Sequence, residues 1–482
     1  MKYKIGKTFK IFDEYFYYDF SNSCIEQISK NEYFTLKEIE RNILYANQNE
    51  IDILVKDIEH PKTFLVESIL DNNLKHIILQ VTQSCNFRCK YCSFSGSGYL
   101  NRRHEKKHMS WEIAKKAIDY FIQHSKNSSL PSFGFYGGEP FLNFDVIKKA
   151  VDYINTIFGK NNTRFLLTTN LSILNDDIMK LIVDNNFSLL VSLDGPDYVQ
   201  NRNRRFAING EGSFEKVYQN IKKLYEYNKE YFVNNVKINA VTDMKDNYSS
   251  IKHFFDHDQI LKNISYNIVV ESNDLNEQVL FNTNNFNIYF QKELMGNLIE
   301  NIKKIDSNSF EYLDGRLVYN LHKIELILNT RKRLPEKYHH SGPCIPGEKR
   351  LFVDVNGRFY PCEKISENDY LSIGNVDEGI NYNKCIDFLN VGKYTDSQCK
   401  KCWAIEFCSI CVTKCYNNDT LSVETKLNNC ELAKAEVVSD FRKYTEFREI
   451  LKMYTCWRGM NDEKNINSWF KRTGKRIYKT KW

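Results

Sequence analysis

The sequence contains no run of about eighteen uncharged apolar residues. Its opening, Met1-Lys2-Tyr3-Lys4-Ile5-Gly6, has none of the apolar stretch of an export signal. No membrane partner is therefore expected, and a cytoplasmic location is. Net charge is also small: 67 Lys and Arg against 61 Asp and Glu leave +6 over 482 residues. That is far from the concentrated basic stripe that would make nucleic acid the default partner. No internal repeat or low-complexity linker interrupts the chain. Hydrophobic content of 42% and charged content of 27% are those of a folded protein long enough for two or three domains.

Cysteine, by contrast, is plentiful. The chain has 14, many in short spacings, in a sequence too large and too signal-free for a secreted disulfide scaffold. A reducing compartment and several metal centres fit better. The most telling group is Cys85, Cys89 and Cys92, in the run Cys-Asn-Phe-Arg-Cys-Lys-Tyr-Cys. It follows the strand-like segment Ile77 to Val81, so a loop at a strand end can fold three thiolates around one centre. Thiolates suit soft metals and iron–sulfur clusters. Three ligands on a cubane leave one iron open to a substrate.

The organisation supports an α/β fold. Residues 1–75 carry aromatic and β-branched runs such as Tyr15 to Phe20, then a helix expected from about Ser29 through Leu44, making a small α+β module. Strand-like runs then alternate with amphipathic helices: Ile77–Thr82, Phe133–Tyr136, Phe165–Thr169, Leu189–Leu193, Val236–Val241 and Ile264–Val270. One helix has Ala114, Ala117, Ile118, Phe121 and Ile122 on a single face, with Ser110 placed to cap it. Six βα units predict a partial barrel over 76–305, whose strand-end loops carry the chemistry. The rhythm stops after about Asp306; a bridging segment, 306–343, leads to a separate cysteine-rich region, 344–435. The remainder, 436–482, ends in a basic, aromatic stretch read as a solvated tail.

The spacing C-x3-C-x2-C resembles that of the radical S-adenosylmethionine (SAM) enzymes. Further matches follow in order: Tyr136-Gly137-Gly138-Glu139-Pro140, Thr169-Asn170, Ser192-Leu193-Asp194-Gly195-Pro196, Asn201-Arg202-Asn203-Arg204 and Gly210-Glu211-Gly212-Ser213-Phe214. Together they resemble the peptide- and protein-modifying branch. The resemblance implies a (β/α)6 TIM-like radical SAM barrel, with SAM held by Tyr91 beside the adenine, the Gly137, Gly138, Glu139, Pro140 segment, Asn170, Ser192 on the ribose and Arg204 on the carboxylate. In that segment two glycines let the backbone approach a ligand, and the Glu139 carboxylate is expected to accept bonds from an ammonium. Asp194 is read as the start of an Asp-Gly-Pro turn, with a solvated role left open for Arg204.

Cys344, Gly357-x4-Cys362, Cys399-x2-Cys402-x5-Cys408 and Cys430 resemble the SPASM extension, which binds two auxiliary [4Fe–4S] clusters. A zinc ribbon on Cys399 and Cys402 is the alternative that spacing permits. By the resemblance Cys399, Cys402, Cys408 and Cys430 hold the second cluster. The first takes Cys344 and Cys362 with Cys411 or Cys415, since Val412 stands where the common pattern has a cysteine. Cys24, Cys385 and Cys456 are expected to be ordinary buried thiols.

Cys92-Ser93-Phe94-Ser95-Gly96, with Arg102, Arg103 and His104 downstream, looks most like the thioether-forming maturases of ribosomal peptides, of sactipeptide or ranthipeptide type. The front module resembles their winged-helix-like element for a precursor's leader. Implied partners are such a precursor peptide and a reductant such as flavodoxin or ferredoxin. The implied chemistry is hydrogen abstraction by a 5′-deoxyadenosyl radical and capture of the carbon radical by a peptide cysteine. Anaerobic sulfatase maturation is the alternative: those enzymes carry a basic Asp where this chain has Glu363, a carboxylate of the same charge. Carbon–carbon cross-linking and a plain electron carrier complete the alternatives.

Overall fold

A computed structural model describes residues 5–11, 13–45, 54–94, 102–242, 248–270, 315–330, 334–417 and 420–458, without the side chains of 42–45, 248, 270, 315–320 and 449–458. Three antiparallel strands, β1 (Gly6–Ile11), β2 (Glu14–Asp19) and β3 (Cys24–Ile28), precede α1 (Lys30–Tyr45). After β4 (Asp57–Ile58) and α2 (Val66–Asn72) come the six strands that the sequence predicts: β5 (His76–Thr82), β6 (Ser132–Gly137), β7 (Arg164–Thr169), β8 (Ser188–Ser192), β9 (Val236–Thr242) and β10 (Tyr266–Val270). Each pairs parallel to the next. Between them run α3 (Trp111–His124), α4 (Phe144–Phe158), α5 (Asp176–Asp184), α6 (Asp197–Asn203), α7 (Phe214–Tyr227), α8 (Lys229–Asn235) and α9 (Tyr248–His257).

The reason is local. Helix-covered parallel strands are buried on both faces and read as apolar runs; Ile77, Ile78, Leu79 and Val81 are all buried. On α3, Ala114, Ala117, Ile118 and Phe121 face the core and Ser110 Oγ accepts the Ile113 N–H, closing the first turn. Each fully buried Ile or Phe here contributes about 1.5–3 kcal/mol.

Two features differ from the expected division. The cysteine-rich region is not set apart: β12 (Leu351–Val353) adds parallel to β5, and β13 (Arg358–Tyr360), β14 (Gly374–Asn375) and β15 (Gly379–Ile380) extend one ten-stranded sheet. The front module packs away from the barrel core. Phe9, Phe16 and Tyr18 share a second core with Leu321 and Ile324 of α10 (Gly315–Thr330), Phe407, and Phe441 of the long α13 (Val423–Arg458). β11 (Lys337–Tyr338) pairs with β4. Two short helices, α11 (Tyr382–Leu389) and α12 (Asp396–Cys399), lie between the sheet and α13. Val66 and Leu70 of α2 belong to the barrel core, so the module proper ends before α2. Among the described residues no helix is long and apolar enough to cross a membrane. The basic tail of 471–481, Ser95 and Gly96 lie outside the described residues.

Candidate active site

The triplet loop leaves the end of β5 and is tied down on two sides. On one, Gly138 N–H donates to Thr82 O at 3.0 Å and Glu139 N–H to Ser84 O at 2.9 Å. Gly137 has φ +141°, and a Cβ on it would sit 2.0 Å from Thr82 O; one on Gly138 would sit 2.2 Å from Ser84 O and 2.9 Å from Cys85 Cβ. Only glycine allows this approach. On the other side Arg88 N–H reaches Arg205 O, Lys90 N–H reaches Asn203 O, and Ala207 N–H reaches Asn86 O. The Asn203–Ala207 segment thus lies directly against the loop.

Glu139 is fully buried. Its carboxylate accepts Phe141 N–H (3.2 Å), Thr169 Oγ1–H (2.7 Å) and Asn170 N–H (2.7 Å). In the protein alone these bonds brace the Gly-Gly turn, where Pro140 starts a short 3-10 turn, against the end of β7. Burial pushes its pKa up to about 7 despite them. Asn170 points Nδ2 at Asn86 Oδ1 (3.0 Å) and lies 3.9 Å from Cys85 Sγ. Ser192 is half-buried at the end of β8.

Arg204 is not a solvated charge. It is buried and holds Asp194 through Nε and Nη2, each 3.0 Å from Oδ1, with its guanidinium 5.2 Å from the centre of the Tyr91 ring. Asp194, completely buried, also accepts the Tyr91 hydroxyl and Val241 N–H. It is the hub that sequence reasoning missed, because an Asp-Gly-Pro run looks like an ordinary turn.

Burial raises the Cys85 thiol to about 12, with Glu139, Cys89 and Cys92 adding to it, and Cys89 to about 11 against the pull of Arg204. Burial also raises Cys92, opposed by Phe94 N–H and by Arg204, Arg88 and Arg102. Among the described residues no three His, Cys, Asp or Glu side chains converge tightly enough to hold a single metal ion. The surroundings suit an anionic cluster: Phe87 N–H lies 3.3 Å from Cys85 Sγ, Phe94 N–H lies 3.4 Å from Cys92 Sγ, and the charges of Arg204, Arg88 and Arg102 favour the Cys92 thiolate.

The later cysteines fall into two neighbourhoods. Burial raises Cys408 to about 12, and Cys402, Cys399 and Cys430 push further. Cys344 and Cys362 are likewise raised by burial, and Cys411 acts on both. Cys415 lies between the two, acted on by Cys411, Cys430 and Cys408, and is 2% exposed with its thiol donating to Cys411 O at 3.2 Å. Cys385 is buried as expected, whereas Cys24 is only half-buried; the Cys456 side chain lies outside those described.

Glu363 pairs with Arg350 at 2.5 Å through Oε1, and its buried Oε2 has no partner among the described residues. Arg102 forms a second unforeseen link. Its buried guanidinium pairs with Glu367 at 2.6 Å, donates to Ile365 O, and lies over Phe94, Tyr136 and Phe352. It joins the triplet loop to the chain just beyond Cys362. Arg103 is exposed, and the His104 ring stacks on Phe94.

With this geometry in hand, residues 79–257 match the radical SAM superfamily. A cysteine-type anaerobic sulfatase-maturating enzyme of Clostridium novyi is 24% identical over 77% of this chain and 96% of that protein. The radical SAM cyclopropyl synthase TigE of Paramaledivibacter caminithermalis is 29% identical over 50% of this chain and 51% of that protein. The solved structure of native anSMEcpe with bound AdoMet and Cp18Cys peptide shares the fold, with TM-score 0.55, 19% identity, and 79% of this chain and 98% of that chain covered. Family membership implies SAM and a [4Fe–4S] cluster as cofactors. Residues 79–257 are a radical SAM domain, and the chain is similar to sulfatase-maturating enzymes and to the radical SAM synthase TigE.

Proposed function

We propose that this enzyme modifies a ribosomally made, cysteine-containing precursor peptide and forms a thioether between a peptide cysteine and a carbon of another residue. The observation that carries the reading is that Cys411 acts electrostatically on both Cys344 and Cys362, while the Cys415 thiol is spent on the Cys411 carbonyl. Three protein thiolates on a four-iron cluster leave one iron for a peptide thiolate. Cys344, though its thiol is partly desolvated, is the most accessible of the three cysteines, so the peptide is taken on that side.

When bound, SAM and the cluster at Cys85, Cys89 and Cys92 supply a 5′-deoxyadenosyl radical. The chain's own groups hold the pieces. Tyr91, Asn170, Ser192, Arg204 and the Gly137–Pro140 turn line the SAM side, and Asp194 fixes the Arg204 and Tyr91 orientations. The peptide carbon loses a hydrogen atom, its radical bonds to sulfur, and the thiol proton and one electron leave. Cys399, Cys402, Cys408 and Cys430 would hold a second auxiliary cluster, which would supply a route for that electron, and a flavodoxin or ferredoxin is the class of reductant that would start each turnover. Among the described residues β3 of the front module pairs only with β2, and a leader strand adds to that edge through backbone hydrogen bonds.

A second reading, formylglycine formation, is favoured by the near full-length match to the C. novyi enzyme and by Glu363, whose buried Oε2 has no partner among the described residues. Incubating the reduced enzyme and SAM with a cysteine-containing precursor encoded beside the gene separates the two. A thioether costs the peptide two hydrogens and keeps its sulfur, whereas formylglycine made from cysteine loses sulfur.

A further inference from the structure

On α13, Lys426, Cys430 and Lys434 stand four residues apart and share one helix face. Lys434 is half-exposed and already paired with Glu431 at 2.7 Å. Lys426 is different. It is 1% exposed, and no carboxylate of the described residues lies within 4.0 Å of its Nζ. Its Nζ donates to the buried Thr395 hydroxyl and lies 3.6 Å from Cys399 Sγ; Thr395 Oγ1 is itself 3.3 Å from that sulfur. The neighbouring histidines do not help: burial holds His339 down at about 4 and His340 well below its ordinary value, so both are uncharged at neutral pH.

A buried ammonium without a counter-charge is costly, and native proteins pair such groups. The negative charge here has to come from sulfur. Cys399, Cys402, Cys408 and Cys430 influence one another's thiols. An oxidised [4Fe–4S] centre with four thiolates is a dianion, and a trianion once it accepts an electron. A fixed cation against one ligand sulfur stabilises the reduced state more than the oxidised one.

We propose that Lys426, steadied by Thr395, is the charge-compensating residue of a four-thiolate cluster at Cys399, Cys402, Cys408 and Cys430, and that it sets that cluster's reduction potential high enough to accept an electron. This rests on the reading of those four cysteines as a cluster site.

The test uses the full-length chain carrying Cys85, Cys89 and Cys92 as Ala, so that only C-terminal iron signals remain. Lys426→Met, Lys426→Arg and Lys434→Met are prepared in it. Iron content and spin-resonance-monitored redox titrations are recorded for each. Lys426→Met lowers one of the two couples by about tenfold in the reduction equilibrium, about 59 mV for one electron, or loses that cluster's iron. Lys426→Arg keeps the cluster near its original potential, and Lys434→Met moves it less than Lys426→Met does. An unchanged couple in Lys426→Met overturns the proposal, as does equal loss of the cluster in the Met and Arg variants. A parent protein without two C-terminal clusters instead overturns the cluster reading beneath it.

Discussion

Asp194 and Arg204 face each other across 3.0 Å, both buried, with Tyr91 bonded to the first and lying under the second. The pair joins the end of β8 to the segment that lies along the triplet loop. Asp194→Asn keeps the shape and removes the charge that aims the guanidinium. SAM binding is expected to weaken at least tenfold while iron content holds. Asp194→Ala leaves Arg204 unpaired and is expected to destabilise the fold by about 3–5 kcal/mol. Equilibrium dialysis with labelled SAM and thermal unfolding check the two outcomes.

Replacing Cys85, Cys89 and Cys92 together by Ala abolishes reductive SAM cleavage. On the proposed reading of three clusters, iron is expected to fall from about twelve per chain to about eight. Anaerobic iron analysis and chromatographic assay for 5′-deoxyadenosine read both numbers. Continued 5′-deoxyadenosine production places the SAM site elsewhere.

Acid sensitivity has an identifiable source at His76. Burial, helped by Arg350, lowers its pKa to about 4, while in the unfolded chain it returns to about 6.5. Above 6.5 both states are neutral and stability is complete. Between 6.5 and 4 only the unfolded state takes the proton, so stability falls with falling pH by about 1.4 kcal/mol per unit. His76→Gln removes this slope. Urea midpoints at pH 7.5 and 5.5 should converge between variant and wild type as pH drops; a constant gap contradicts the assignment.

Leader binding is tested by removing residues 1–45. A cut at 75 would also remove α2, whose Val66 and Leu70 belong to the barrel core. The shorter cut weakens precursor affinity and peptide modification while sparing uncoupled SAM cleavage, because the module packs on α13 and not on the radical site. Fluorescence anisotropy with a labelled precursor gives the affinity. Unchanged affinity in a folded truncation assigns the module to packing.

The parallel strands were legible because burial on both faces leaves continuous apolar runs, and the triplet because its spacing is its chemistry. What stayed hidden depends on contacts distant in sequence. Leu351–Val353 is too short to announce that it will pair with β5. Arg102 and Glu367 meet across 265 positions. Nothing in the chain distinguishes Cys411 from Cys415; in the fold the Cys415 thiol donates to the Cys411 carbonyl, while Cys411 acts electrostatically on Cys344 and Cys362. Only burial distinguishes Lys426 from Lys434, two lysines on one helix face.

The most direct test of the central claim is tandem mass spectrometry of the precursor after co-expression, with thiol alkylation before digestion. A thioether removes two hydrogens and one alkylatable thiol per bond, and the fragments bridge the cysteine and the acceptor residue. A hydrogen-deficient product whose cysteines all remain alkylatable, or a product that has lost sulfur, contradicts it.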